Sequence, residues 1–139
     1  MKLVFLLPAL FLASMAACAQ HDSWKIKLNH RTILSTQRES SAKNIRRIQS
    51  AEWNKNGFLE IGYKESAPGK WIRSFLFFDE QDQELFRKDS VNILRIPLVD
   101  LRRMAAGKKS ILIYTVVAPR DPGTAIRVRR VHLCTLRLP

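Results

Sequence analysis

The sequence predicts an all-β fold: an antiparallel two-layer β-sandwich, immunoglobulin-like in the broad sense, with seven or eight strands and one short helix near 98–106. Three observations carry this expectation. Short segments that alternate apolar and polar residues recur between turn signals, as half-buried strands do. Two runs, Trp71 to Phe78 and Ile111 to Val117, are apolar on both faces and suit central strands. No alternation of strand and helix is present, which sets aside the parallel α/β classes.

The N-terminus has its own pattern. Met1-Lys2 is a short positive start, Leu3 to Leu12 is apolar throughout, and small residues dominate from Ala13 to Ala19. That order is the pattern of a secretory signal peptide, here residues 1–19, and it leaves one domain over 20–139. The apolar run is shorter than the roughly 20 residues that cross a bilayer. Two cleavage routes are open. Ala17-Cys18-Ala19 fits the A-x-A rule and releases a chain starting at Gln20. Met15-Ala16-Ala17-Cys18 is similar to the bacterial lipobox, in which the cysteine is acylated and becomes the first mature residue; lipidation at Cys18 is the preferred outcome. Either route consumes Cys18 and leaves Cys134 without a disulfide partner in the domain, so stability must come from a packed core.

The elements follow in order. Trp24 to Leu28 alternates with period two, Asn29-His30-Arg31 is a turn, and Thr32-Ile33-Leu34 resumes the extended run. Gln37 to Asn44 is a loop, and Ile45 to Ile48 is a short edge strand. Ser50 to Trp53 makes a capped helical turn that stops at Asn56-Gly57. Leu59 to Tyr63 alternates cleanly, and Ala67-Pro68-Gly69 is a loop. Trp71 to Phe78 then turns through Asp79–Glu84 and returns along Leu85-Phe86-Arg87 as a hairpin. Pro97 to Gly107 is the one good helix: proline opens it, Leu98, Leu101, Met104 and Ala105 share a face, and Gly107 stops it. Ile111 to Val117 is a central strand, Pro119 to Gly123 a loop, and Ile126 to Leu138 a long final strand.

Taken with Met15-Ala16-Ala17-Cys18 and the strand–helix–strand run IPLVDL…G…ILIY, this pattern resembles exported bacterial lipoprotein-like β-sandwich domains. The resemblance implies no activity.

The chain carries a formal charge of +12; without Lys2, 23 basic residues face 12 acidic ones, a balance of +11. Such an excess favours polyanionic partners or adhesion to an anionic surface. The final strand is the most unusual segment, with Arg127, Arg129, Arg130 and Arg137 forming a candidate anion-binding row. Its apolar phase is muddled, and a β-bulge near Arg129-Arg130 would restore it by bringing Val131 and Leu133 inward. The competing account is a solvated face whose arginines pair with carboxylates.

Other constellations are weaker. His132 and Cys134 lie about 7 Å apart along a strand, too far for a nucleophile–base contact and too few for a metal site, so a buried thiol beside a structural histidine is expected. The acidic run Asp79–Glu84 lacks the glycine and distant glutamate of a calcium loop and suits a solvated hairpin tip. Trp24, Trp53, Trp71, Tyr63, Phe77 and Phe78 suit a core better than a sugar-stacking platform. Arg102-Arg103 and Lys108-Lys109 flank the end of the helix, where they complement its dipole and can face anionic headgroups. No nucleophile elbow, zinc-protease, phosphate-loop, dinucleotide or C-x-x-C motif occurs.

The expected function is therefore non-catalytic. The chain is expected in the periplasm or on the outer membrane or surface of a bacterium, as an interaction or structural module of the envelope tethered through Cys18. The alternative is a module that binds an acidic glycan or other polyanion through the arginine-rich C-terminal strand. Expected partners are an envelope protein or an acidic glycan or lipid surface. Export sets nucleic acid aside, and no cofactor or metal is expected.

Overall fold

Nine strands and two short helices carry the chain back and forth between two sheets in the computed structural model, which describes residues 21–125 and 128–139. The strands are β1 (Ser23–Leu28), β2 (Arg31–Thr36), β3 (Ile45–Arg47), β4 (Phe58–Lys64), β5 (Trp71–Phe78), β6 (Glu84–Asp89), β7 (Ile93–Pro97), β8 (Ser110–Pro119) and β9 (Val131–Arg137). Helix α1 (Ser50–Trp53) precedes β4, and α2 (Leu98–Met104) joins β7 to β8. One sheet has the order β2-β1-β4-β7 and the other β3-β9-β8-β5-β6. Among the described residues no helix is long and apolar enough to cross a membrane.

The connections β4–β5, β6–β7 and β7–β8 pass between sheets, whereas β5–β6 and β8–β9 stay within one. Strands β1, β4 and β7 facing β9, β8, β5 and β6 reproduce the immunoglobulin-type order. The all-β sandwich expected from the sequence is therefore the fold. Strand pairing departs from pure antiparallel geometry at one place, because β3 runs parallel to β9, with Arg47 in register with Arg137.

Local chemistry explains the elements. Asn29 and His30 both take positive φ, as a two-residue hairpin between β1 and β2 requires. Helix α2 starts after Pro97, buries Leu98 and Leu101, and ends before Gly107, whose φ of 77° suits glycine. β7 escapes a period-two reading because its outward residue Ile93 is apolar and 75% exposed.

The final strand is shorter than expected: it begins at Val131, residues 128–130 lie outside it, and the expected start at Ile126 lies outside the described residues. Its bulge lies at Leu133 and not near Arg129-Arg130: Ile113 pairs with Cys134 and Tyr114 with His132, leaving Leu133 as the extra residue. His132, Leu133 and Cys134 are consequently all buried, a run that simple alternation forbids. The core between the sheets is built from Ile26, Leu28, Leu59 and Ile61 on one side and Phe75, Phe77, Ile111, Ile113 and Leu136 on the other.

One end of the sandwich is closed by a polar stack. Trp24 of β1 lies face to face with Tyr63 of β4, at a centroid distance of 5.8 Å and an interplanar angle of 6°. The Arg73 guanidinium covers the Tyr63 ring at 3.5 Å. Arg73 also donates to Thr115 Oγ1 at 2.9 Å and pairs with Glu65 Oε1 at 3.2 Å, both charged side chains being only 4% exposed. Across the gap, Trp24 Nε1 donates to the Leu133 carbonyl at 3.1 Å. Tyr63 Oη donates to Asp22 Oδ2 at 2.9 Å, and Asp22 Oδ1 accepts from the Ser66 amide and hydroxyl. Burial alone raises the Asp22 carboxyl, but these hydrogen bonds hold it below its ordinary value.

Removing one member of a buried pair strands the other charge. Arg73→Met is therefore expected to cost about 3–5 kcal/mol in urea unfolding, and the double variant Arg73→Met/Glu65→Met to cost less than the single one. A loss below about 1 kcal/mol for Arg73→Met would show that the pair does not anchor this end.

Candidate functional site

The open edge where the two sheets end, between β2 and β3, forms a cleft of about 250 Å³. Its floor is apolar, from Leu28, Ile33 and Ile48, and its walls carry Arg31, Arg46, Arg47 and Glu52. Arg46 is the strut that holds it. Its Nε donates to the Ile33 carbonyl of β2 at 2.6 Å, and its Nη1 donates to the carbonyls of Lys43 and Ile45. These bonds leave Nη2 without a protein partner among the described residues. Arg31 and Arg47 are exposed, and Arg137 stands beside Arg47 on the neighbouring strand.

The far wall is fixed by Asn29 and α1. Asn29 Nδ2 donates to the Glu52 carbonyl and to Glu52 Oε2, each at 3.0 Å. Glu52 also pairs with Lys55 at 2.7 Å. The Lys55 ammonium and the Asn29 amide together hold the Glu52 carboxyl below its ordinary value. A Cβ on Gly57 would run into Asn29 Oδ1, so glycine is needed there for the wall to close. Arg102 donates to the carbonyls of Trp53 and Lys55 and thereby terminates α1.

The cleft gathers arginines that form no ion pair, although the Glu52 carboxylate on its wall is near enough for Arg31 to help hold it below its ordinary value. Arg31, Arg46, Arg47 and Arg137 have no carboxylate within salt-bridge distance among the described residues. By contrast Arg73, Arg95, Arg103, Arg129 and Arg130 each have one, and Arg87 has two. In-register like charges such as Arg47 and Arg137 are unfavourable unless an anion is shared between them.

The arginine row expected on the final strand is divided by this geometry. Arg129 and Arg130 precede β9. Arg129 makes a bidentate pair with Glu39, at 3.1 and 2.8 Å, and that contact holds the Glu39 carboxyl low. Arg130 pairs with Asp82 at 2.9 Å and lies over the rings of Phe78 and Tyr114, each at 4.6 Å. Arg137 alone of these stands next to a cleft residue, Arg47, without lining the cleft itself. Arg127 and Cys18 lie outside the described residues.

The remaining candidates are structural. Cys134 is fully buried and its thiol is pushed up to about 12 by desolvation. His132 is 6% exposed, with Nε2 at 2.8 Å from Thr135 Oγ1, Nδ1 unpartnered, and its ring edge-on to Tyr114. Asp79 is 1% exposed, so the acidic turn is not a solvated tip throughout. Its Oδ1 accepts from the amides of Gln81 and Gln83 at 2.9 Å, and its Oδ2 meets Lys108 at 3.0 Å. The six aromatics do not share a surface: Trp24, Tyr63 and Phe77 are buried, and Arg130 covers Phe78. Among the described residues no group of three or more His, Cys, Asp or Glu side chains is placed to hold a metal ion.

Comparison with protein-family models, with curated proteins and with solved structures returns no match.

Burial holds the His132 ring below its ordinary pKa, against a smaller opposing pull from Glu39. The unfolded chain therefore binds that proton more readily than the folded one. Stability from this residue is full above the ordinary histidine value of about 6.5 and falls as pH drops below it. The gap in unfolding free energy between the wild type and His132→Gln is expected to narrow between about pH 7.5 and pH 5.5. A gap that stays constant would show that His132 does not titrate differently on folding.

Proposed function

We propose that this chain is an exported, non-catalytic envelope module that holds an acidic glycan or similar polyanion in the basic cleft between β2 and β3. The observation that supports this most is the convergence of Arg31, Arg46 and Arg47 beside an apolar floor, none of them with a carboxylate within salt-bridge distance among the described residues, and with Arg137 next to Arg47 on the neighbouring strand. Guanidinium groups suit planar carboxylate or sulfate recognition, and the floor suits the carbon face of a sugar ring. The site differs from the C-terminal row expected from sequence, since Arg129 and Arg130 are already neutralised. Export and attachment through Cys18 belong to the same proposal and rest on the leader pattern and lipobox at residues 1–19.

The test compares retention on polygalacturonate and dextran sulfate matched in charge density. Arg31→Gln, Arg47→Gln and Arg137→Gln are each expected to weaken binding to one of them by about two- to fivefold, while Arg129→Gln, with the same change in net charge, leaves it unaltered. Equal losses for all four variants would reduce the effect to net charge and sink the cleft as a site. For the anchor, Cys18→Ser is expected to move the protein from the membrane to the soluble fraction and to remove the acyl mass. An unchanged distribution and mass would end the lipoprotein part of the proposal.

A further inference from the structure

We propose that the outer face of the four-stranded sheet rests on an anionic lipid headgroup surface, with Lys25, Lys27 and Lys64 meeting the phosphates and Ile93 reaching between them. This goes beyond the cleft, which lies on the sheet edge, and takes its geometry from the proposed anchor at Cys18.

The face is built by register. Lys25 of β1, Gly62 of β4 and Ile93 of β7 stand side by side, and Lys27, Glu60 and Arg95 form the next row. A Cβ on Gly62 would meet nothing within 4 Å, so a shallow trough of about 320 Å³ opens between the lysines and Ile93. Ile93 is 75% exposed at its rim. Glu60 is the carboxylate of these rows and is paired with Arg95 at 3.2 Å. Lys25, Lys27 and Lys64 have no carboxylate within salt-bridge distance among the described residues.

On the opposite sheet several arginines are paired. There Arg87 lies between Glu84 and Asp89, and Arg130 meets Asp82. Unpaired lysines around the trough make this face complementary to a negatively charged plane. Lysine stems can lie along the trough while their ammonium groups reach phosphate. Chain length points the same way. Asp22 is fixed by Tyr63 and Ser66, and Cys18 precedes it by four residues, a reach of about 14 Å. An acylated Cys18 would thus hold the sheet that contains β1 close to the bilayer.

The test uses the processed full protein in phosphatidylcholine vesicles with and without phosphatidylglycerol, its acylation state fixed by intact mass. A fluorophore is placed through Ser35→Cys on this face or through Glu84→Cys on the other; buried Cys134 stays unlabelled. Brominated lipid is expected to quench the label at position 35 and not at position 84, and only when phosphatidylglycerol is present. Each lysine is worth about fivefold, so Lys25→Gln/Lys27→Gln/Lys64→Gln is expected to lower partitioning onto anionic vesicles by about 100-fold. A mass without acyl chains would remove the anchor while leaving quenching at position 35 expected at low salt. Absent quenching at position 35, equal quenching at both positions, or self-association through position 35 in place of lipid contact would each overturn the proposal.

Discussion

The arrangement of both sheets depends on one indole N–H. Trp24 reaches from β1 across the sandwich to the carbonyl of Leu133. That carbonyl belongs to the residue which the bulge in β9 leaves out of the pairing. A buried carbonyl without a partner is costly, and so is a buried indole N–H; here each satisfies the other. With Trp24 fixed, Tyr63 stacks on it, Arg73 covers Tyr63, and Asp22 ties the start of the first strand to the turn after β4. The same bulge turns His132 to the outer face and sends Cys134 into the core.

Charge is sorted by this frame. Around β5, β6 and the start of β9 arginines are spent on carboxylates: Arg129 on Glu39, Arg130 on Asp82, Arg87 on Glu84 and Asp89. Exposed pairs of this kind add little stability. Their larger effect is to flatten the potential there. The excess positive charge then concentrates where acids are scarce, at the β2–β3 edge and on the four-stranded face. A chain with twice as many basic as acidic residues cannot neutralise every surface, and the fold decides which ones stay positive.

Much of the fold is legible in the sequence because period-two alternation survives in β1 and β4, because β8 is apolar on both faces as a central strand is, and because Pro97 and Gly107 bracket α2. What the pattern hides has definite causes. β7 carries an exposed isoleucine on its outer face, which blurs its alternation. β3 is three residues long and gains its identity from β9, about ninety residues away. The candidate site was harder still. Runs of arginine close in sequence are conspicuous, yet Arg129 and Arg130 meet partners that no local window contains. Arg31, Arg46 and Arg47 line one cleft, and Arg137 comes beside Arg47, only through pairing across the chain. The local signal that pointed to them was weak: two adjacent arginines on a short edge strand, after a loop with one acidic residue.

The parallel pairing of β3 with β9 also sets an order of events during synthesis. β9 is the last of the nine strands to be made, yet β3, β8 and the Trp24 indole all wait for it. Until it arrives, β8 has one open edge, β3 has no neighbour, and the aromatic stack has no acceptor across the gap. A chain that lacks β9 therefore has no route to the closed sandwich, and folding is dominated by long-range contacts and correspondingly slow. Until that closure, the open edges of β8 and β3 leave the chain exposed to self-association through strand pairing.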